Sequence, residues 1–184
     1  MPVGVAFRSL MAAAGVSNPP WDVIDSTTLG SAAASVSFAS IDSKYKLFRV
    51  TAYIVKDATA STVAMRLNGD TGSNYDRQHL IGNGATVSAS RGNNDRVYLS
   101  PSTLAANSVA LFSITLGKQT TGAAAMGVAS IVMFDTPATS ALTTTNTAFR
   151  WSDATELIDE IALLSTSGNF AAGTVALLEG VPDA

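Results

Sequence analysis

Residues 62–76, TVAMRLNGDTGSNYD, place an alternating apolar stretch directly before a loop rich in glycine and asparagine. Val63, Met65 and Leu67 occupy every second position, a spacing that puts their side chains on one face of a β-strand. Asn68-Gly69 is a strong signal for a tight turn, because both residue types tolerate positive φ. The segment therefore predicts a half-buried strand that ends in a tight turn, and it favours an all-β chain.

The same alternation recurs along the chain. It is strongest over residues 45–55, where apolar and small side chains alternate with polar or aromatic ones. Glycine and asparagine are frequent between residues 69 and 94, so this part is predicted to be mainly loop with one short strand. The predicted strands are residues 34–41, 45–55, 62–68, 79–81, 96–99, 108–116 and, at a sheet edge, 147–151.

Two further segments leave more than one interpretation open. Residues 122–134 are apolar on both faces, which is typical of a central strand buried on both sides, and their β-branched residues and flanking glycines favour strand over helix. Residues 156–164 fit a strand that pairs with residues 174–178, but their apolar spacing also fits one amphipathic helix. Short, regularly spaced strands with Gly, Asn and Ser turns predict an all-β, antiparallel β-sandwich or barrel.

The 184 residues suffice for one domain with a real core. We predict a single β-sandwich over residues 21–184, preceded by a short N-terminal arm, residues 1–20. Asn18-Pro19-Pro20 would end any helix in the arm. The apolar stretch after Arg8 is short, and the only basic residue of this region lies inside its apolar part and not ahead of it, so we do not interpret it as a secretory signal. No stretch reaches the ~18 apolar residues of a membrane span, and membrane insertion is not expected.

Composition points to an assembly. The chain is 47% hydrophobic and only 14% charged, whereas typical domains carry about 25% charged residues. An extended, weakly charged surface usually needs a partner to cover it, although a bland surface rich in Ala, Ser and Thr is the alternative. The net charge of −3 and the lack of any Lys/Arg run argue against nucleic-acid binding. The absence of cysteine excludes disulfides and thiolate catalysis.

The candidate binding residues lie in one loop and are Asn68, Asp70, Asn74, Tyr75 and Asp76. Carboxylate and amide oxygens on a flexible loop suit Ca²⁺, and a sugar site would use the same groups with the Tyr75 ring for stacking. Asn and Asp also satisfy turn backbones, and the ordered calcium-loop motif with its terminal Glu is missing. Glycan binding, ion binding and turn chemistry therefore remain open, and no metal or other cofactor is predicted.

Catalytic motifs are weak. His79 is the only histidine, and no G-x-S-x-G segment accompanies it, so we interpret it as a surface or packing residue. Four neighbouring acids could supply a carboxylate pair for glycoside hydrolysis if a helix brought two of them to one face, although a solvated acidic rim is the simpler interpretation. They are Asp153, Glu156, Asp159 and Glu160. We assign no catalytic residue and predict that the chain is not an enzyme.

Four segments together resemble small bacteriophage virion proteins with a jelly-roll-like β-sandwich. They are WDVID at 21–25, YKLFRV at 45–50, LNGDTGSNY at 67–75 and GNFAAGT at 168–174, and the resemblance covers residues 21–180. It implies a symmetric module, such as a homotrimer, that resides on the virion and binds itself and other virion proteins, including the major capsid protein. The apolar arm at residues 2–16 would then serve for attachment.

The resemblance leaves two main roles. In the first, the chain is a capsid decoration or cement protein that stabilises the shell through subunit interfaces. In the second, it is a receptor-binding module of a tail fibre or tail tip, whose loops at residues 68–76 and 82–95 hold host-surface glycans. A short chain without a fibre shaft or coiled coil favours the decoration role. A polysaccharide hydrolase is a third, less favoured possibility.

Overall fold

A computed structural model describes residues 21–83, 85–100, 103–118, 120–134, 142–153 and 155–183. The N-terminal arm predicted at residues 1–20 lies outside the described residues. The described part folds into twelve β-strands. They are β1 (Asp22–Thr28), β2 (Ser35–Phe38), β3 (Tyr45–Val55), β4 (Val63–Leu67), β5 (Tyr75–Asn83), β6 (Thr86–Asn94), β7 (Val97–Tyr98), β8 (Val109–Gly117), β9 (Ala125–Phe134), β10 (Leu142–Trp151), β11 (Ile161–Ser165) and β12 (Val175–Pro182).

The strands form two antiparallel sheets that pack into a sandwich, as the sequence predicts. The larger sheet has eight strands in the order β1-β12-β3-β8-β9-β10-β5-β6, and the smaller has four in the order β2-β11-β4-β7. A jelly roll has eight strands in total. Here the larger sheet alone has eight strands, and the described chain has twelve. Among the described residues, no helix is long and apolar enough to cross a membrane.

One apolar core fills the space between the sheets. Alternate residues of β3 and β8 point inward, because successive side chains of a strand project to opposite faces. Phe48 and Phe112 from the larger sheet are buried in the same cluster as Met65 and Leu163 from the smaller one. The strand predicted at residues 108–116 is confirmed as β8, and Ala110, Phe112, Ile114 and Leu116 form its inward face. This core fixes which face of each sheet is free to contact other molecules.

Gly127 in β9 provides a sharp test of this packing. A Cβ atom at Gly127 would lie 2.3 Å from Cζ of its cross-strand neighbour Phe149 and 2.7 Å from the carbonyl oxygen of Thr115. Because a backbone atom would have to shift, we expect Gly127→Ala to lower the free energy of unfolding by about 1–3 kcal/mol, measured by chemical denaturation. A Cβ at Gly30 would meet nothing within 4 Å, so Gly30→Ala is the control. Equal stability of the two variants would contradict this packing of Phe149.

Three details of the prediction are wrong in the middle of the chain. Residues 69–94 are not mainly loop, because β5 and β6 form a long hairpin with nine paired positions. Residues 147–151 are not an edge strand, since β10 lies between β9 and β5. β9 is a central strand, as predicted, but only one face is buried: Met126 and Val128 are exposed.

The ends of the chain also differ from the prediction. β1 has no predicted counterpart, because its residues Asp22–Thr28 carry mostly polar side chains. The predicted closing pair of residues 156–164 and 174–178 does not form. β11 pairs with β2 and β4 in the smaller sheet, whereas β12 pairs with β1 and β3 in the larger one. The strand at β11 begins only at Ile161, so the segment that fitted a helix is neither a helix nor a strand before that point.

Candidate functional site

The tight turn predicted at Asn68-Gly69 is confirmed, with φ values of 51° and 62°. Both ends of the Asn68 amide are engaged by the loop before β11. Its Nδ2 donates to the Leu157 carbonyl at 2.7 Å, and its Oδ1 accepts from the backbone N–H groups of Asp159 and Glu160 at 3.0 and 3.2 Å. Asn68 therefore ties the β4–β5 turn to a second loop and has the role of a turn residue.

Asp70 lies at the centre of a hydrogen-bonded cluster. Its Oδ1 accepts from the Gly72 N–H at 2.7 Å, and its Oδ2 accepts from Asn74 Nδ2 at 2.9 Å and from Trp151 Nε1 at 2.7 Å. Burial acts to raise the pKa of Asp70, but the hydrogen bonds from Trp151, Asn74 and Gly72 outweigh it and hold the pKa below its ordinary value. The carboxylate thus satisfies one backbone and two side-chain donors within the protein.

Tyr75 cannot stack on a sugar, so that part of the prediction is wrong. The side chain is fully buried, and its ring stacks on Trp151 with centroids 6.4 Å apart. Its hydroxyl accepts from the Leu67 N–H at 3.1 Å and points toward the carbonyl oxygens of Leu67 and Asp70. Burial raises the pKa of this hydroxyl well above its ordinary value.

Asp76 belongs to a different surface from the other candidates. It follows Tyr75 on β5, so its side chain projects to the face of the larger sheet that is turned away from the smaller one, here called the outer face. There its carboxylate accepts from Asn93 Nδ2 at 2.9 Å and from Arg150 Nε at 3.0 Å. These hydrogen bonds lower the pKa of Asp76. The five candidate residues therefore do not form one site.

A shallow groove of about 590 Å³ lies beside Asp76, where β10, β5 and β6 run together. Gln78, Arg91, Asn93 and Arg150 contribute polar side chains to its lining. Guanidinium groups donate hydrogen bonds, carboxylates accept them, and side-chain amides do both. The groove is consequently able to bind a polar ligand, and it retains Asp76 among the candidate binding residues.

His79 is a packing residue, as one of the sequence interpretations holds, and it belongs to a buried chain of hydrogen bonds. Thr147 Oγ1 donates to the Leu99 carbonyl at 2.9 Å, so it must accept from His79 Nδ1, which lies 2.8 Å away. His79 Nε2 then carries no proton, and its lone pair accepts a hydrogen bond from Arg77 Nε at 2.9 Å. Burial, and then the charge of Arg77, lower the pKa of His79 to about 4. The ring is therefore neutral near pH 7 and orients Arg77.

The outer face carries an unusual concentration of exposed apolar side chains. Ten large hydrophobic residues are exposed in the described part of the chain, and the strand registers place all ten on this face. They are Val23, Leu47, Tyr53, Leu80, Val87, Leu111, Met126, Val128, Leu142 and Val175. Sequence reasoning anticipated an apolar surface from composition, but the strand pairing was needed to locate it.

The acidic residues considered for hydrolysis are not brought to one helix face. Asp153, Glu156, Asp159 and Glu160 lie in the irregular segment before β11. The Asp153 carboxylate accepts from the backbone and hydroxyl of Thr155. No group of three His, Asp or Glu side chains within the described ranges is arranged to hold a metal ion.

No family model and no curated protein matches this chain. Among solved structures, it is similar to exo-inulinase from Aspergillus awamori, with 13% identity and a TM-score of 0.39 over 88% of this chain and 29% of the inulinase chain. It is also similar to the CBM2 module of the evolved Dit of Lactobacillus casei BL23 phage J-1, with 7% identity and a TM-score of 0.21 over 92% of this chain and 82% of that module. The chain thus spans less than a third of the inulinase. At these scores neither similarity supports the assignment of a function.

Proposed function

We propose that this chain is a non-catalytic structural protein of a bacteriophage particle, a capsid decoration protein that associates with further copies of itself through the outer face. The phage assignment rests on the resemblance of the four sequence segments. The mode of association rests on one observation, the placement of all ten exposed large hydrophobic residues of the described chain on that face. A concentration of exposed apolar side chains on one face marks an interaction site.

The outer face is large enough for a stable interface. Its eight strands, at about 4.8 Å spacing and about 3.3 Å per residue, span an area of about 1,000 Å². A stable interface of standard size buries about 800 Å² on each partner. Val175, Tyr53 and Leu111 are direct neighbours across three adjacent strands and form an apolar band on this area.

The charges near this band favour a second copy as the partner. Arg49 is paired with Glu179 at 2.7 Å, and Arg150 is paired with Asp76. Both pairs lie within the outer face itself, so their charges are largely neutralised before any contact. Two copies of such a face can meet without strong like-charge repulsion, and no charged partner of opposite sign is required.

We expect Leu111→Asp to weaken self-association at least about tenfold. Leu111 is 50% exposed in the middle of the apolar band, and association would bury the new carboxylate without a partner, which is costly. Sedimentation equilibrium over a range of concentrations measures the effect. The control is Ser37→Asp, the same added charge on the exposed side of β2 in the smaller sheet. A wild-type protein that stays monomeric at all concentrations, or equal weakening by both variants, would contradict this interface.

The location on the particle needs a separate measurement, which is the copy number in purified particles by quantitative mass spectrometry. Decoration requires a number of copies comparable to that of the shell subunit. A few copies per particle would favour the receptor-binding role at a tail. The polar groove beside Asp76 supports that second candidate, since it offers hydrogen-bonding groups for a host glycan.

A further inference from the structure

A second cleft lies on the inner side of the larger sheet, beyond the edge of the smaller one. The smaller sheet ends at β7, whereas β6 is the last strand of the larger sheet and is largely exposed. The cleft between them has a volume of about 350 Å³ and is lined by residues that include Arg77, His79, Ser90, Asn94 and Tyr98. It is on the opposite side of β5 and β6 from the outer face, so it has no part in the proposed assembly.

The guanidinium of Arg77 is held in place from three sides. Its Nε donates to the neutral His79 ring at 2.9 Å, and its Nη1 donates to Asn94 Oδ1. The group lies over the Tyr98 ring, with Cζ 4.9 Å from the centroid. These contacts fix the plane of the guanidinium and leave Nη2 without a protein acceptor in the described part of the chain.

A glycine on the neighbouring strand makes this position possible. Gly92 pairs directly with Arg77 across β5 and β6. A Cβ atom at Gly92 would lie 3.1 Å from both Nη1 and Nη2 of Arg77, which is closer than ordinary van der Waals contact. The guanidinium therefore lies close against the bare backbone of β6, and a side chain at position 92 would force it to shift.

Arg77 has no carboxylate as an ion-pair partner among the described residues. None of the ion pairs formed by the described residues includes Arg77. Burial lowers the pKa of Arg77, and the opposing effect comes from the Tyr98 hydroxyl and not from a carboxylate. Partly removing a cation from water without pairing it costs free energy. An anion that enters the cleft would recover this free energy.

We propose that this cleft binds a carboxylated saccharide, with the ligand carboxylate accepting hydrogen bonds from Arg77. The rigid planar fork of a guanidinium matches the geometry of a carboxylate. Close to it, the Ser90 hydroxyl, the Tyr98 hydroxyl and Asn94 Nδ2 form no hydrogen bond within the described residues, so they are free to bind sugar hydroxyls. The cleft volume is at the lower end of the usual range for small-ligand sites, which suits one or two sugar rings.

The test is a titration of the full chain followed by ¹H–¹⁵N NMR, with D-glucuronic acid and an oligosaccharide that contains it as probes. The Arg77 Nε–H is hydrogen-bonded to His79, so its side-chain signal reports directly on the site. We expect this signal and the amide signals of Ser90, Gly92 and Asn94 to shift in a saturable manner. D-glucose, which has the same ring without the carboxylate, should produce at least about tenfold weaker binding, because charge-assisted hydrogen bonds are the strong ones.

Three variants distinguish binding at Arg77 from a general effect of charge or of stability. Arg77→Gln should weaken glucuronate binding at least about tenfold, whereas Arg91→Gln, which removes the same charge one strand away on the outer face, should leave it unchanged. Ser90→Asp changes an exposed position and supplies a carboxylate that competes for Arg77. It should therefore abolish binding without loss of thermal stability.

The proposal is overturned if glucuronate does not bind to the wild-type chain, or if Ser90→Asp binds as well as wild type. Equal binding of glucose would show that the carboxylate is not recognised. Equal or tighter binding of inorganic phosphate would show a general anion site instead of a saccharide site, and would also overturn the proposal. Failure of self-association through the outer face would leave this result unaffected.

Discussion

Replacing Phe112 with alanine should lower the free energy of unfolding by about 3–5 kcal/mol. Phe112 is fully buried in β8 and is one of the largest buried side chains in the described part of the chain. Its strand lies between β3 and β9, and its side chain projects into the core between the sheets. The alanine variant loses the transfer free energy of the ring and leaves a cavity that neighbouring strands cannot close. Chemical denaturation at pH 7 measures the change.

Ser113→Ala provides the matched control, because Ser113 is the next residue of β8 and is exposed on the outer face. This substitution removes one oxygen from an exposed position, so the free energy of unfolding should change by no more than about 0.5 kcal/mol. A small effect of Phe112→Ala, or a large effect of Ser113→Ala, would mean that β8 faces the opposite way. The pair therefore tests the inward face of the most regular strand.

The regular strands of the core could be predicted because their pattern is apolar as well as alternating. In β3 and β8, every second side chain is apolar and buried, so period two is visible in the sequence itself. β5, β6 and β10 alternate in space just as regularly, but many of their inward side chains are polar. Thr143, Thr145 and Thr147 of β10 are buried, and a hydrophobicity pattern cannot distinguish such a strand from a loop or an edge.

The candidate site was predictable only in its turn chemistry. Asn68 and Asp70 have the roles that turn-forming residues have in many loops, since their side chains bond nearby backbone groups. Proximity in sequence did not bring Tyr75 and Asp76 together, because consecutive strand residues face opposite sides. The position of the Arg77 guanidinium depends on Asn94, Tyr98 and Gly92, which lie on other strands. Those contacts depend on strand pairing, which no local pattern specifies.

Replacing Asp70 with alanine should lower the free energy of unfolding by about 2–4 kcal/mol at pH 7. The variant leaves the Trp151 Nε1–H, the Gly72 N–H and the Asn74 amide without their common acceptor, and hydrogen bonds to a charged group are worth more than neutral ones. Asp159→Ala is the control, since Asp159 is an exposed acid that contacts Asn68 only through its backbone N–H. It should change the free energy of unfolding by no more than about 0.5 kcal/mol.

The pH dependence identifies the carboxylate as the source of this stability. Because the folded-state pKa of Asp70 is lowered, its contribution is fully present above the unfolded pKa of about 3.9 and is lost as the pH falls through the folded pKa. The difference between wild type and Asp70→Ala should therefore be constant near neutral pH and decrease in acid.

Calcium separates the turn role of Asp70 from an ion-binding role. A ligand that binds only the folded state raises its melting temperature. If Asp70 and Asn74 serve the turn, millimolar calcium should leave the melting temperature of the wild type unchanged, since Asp70 already accepts from Gly72, Asn74 and Trp151. A calcium-dependent rise in the wild type that is absent from Asp70→Ala would instead show that the carboxylate exchanges these donors for a cation, and would revive ion binding at the β4–β5 turn.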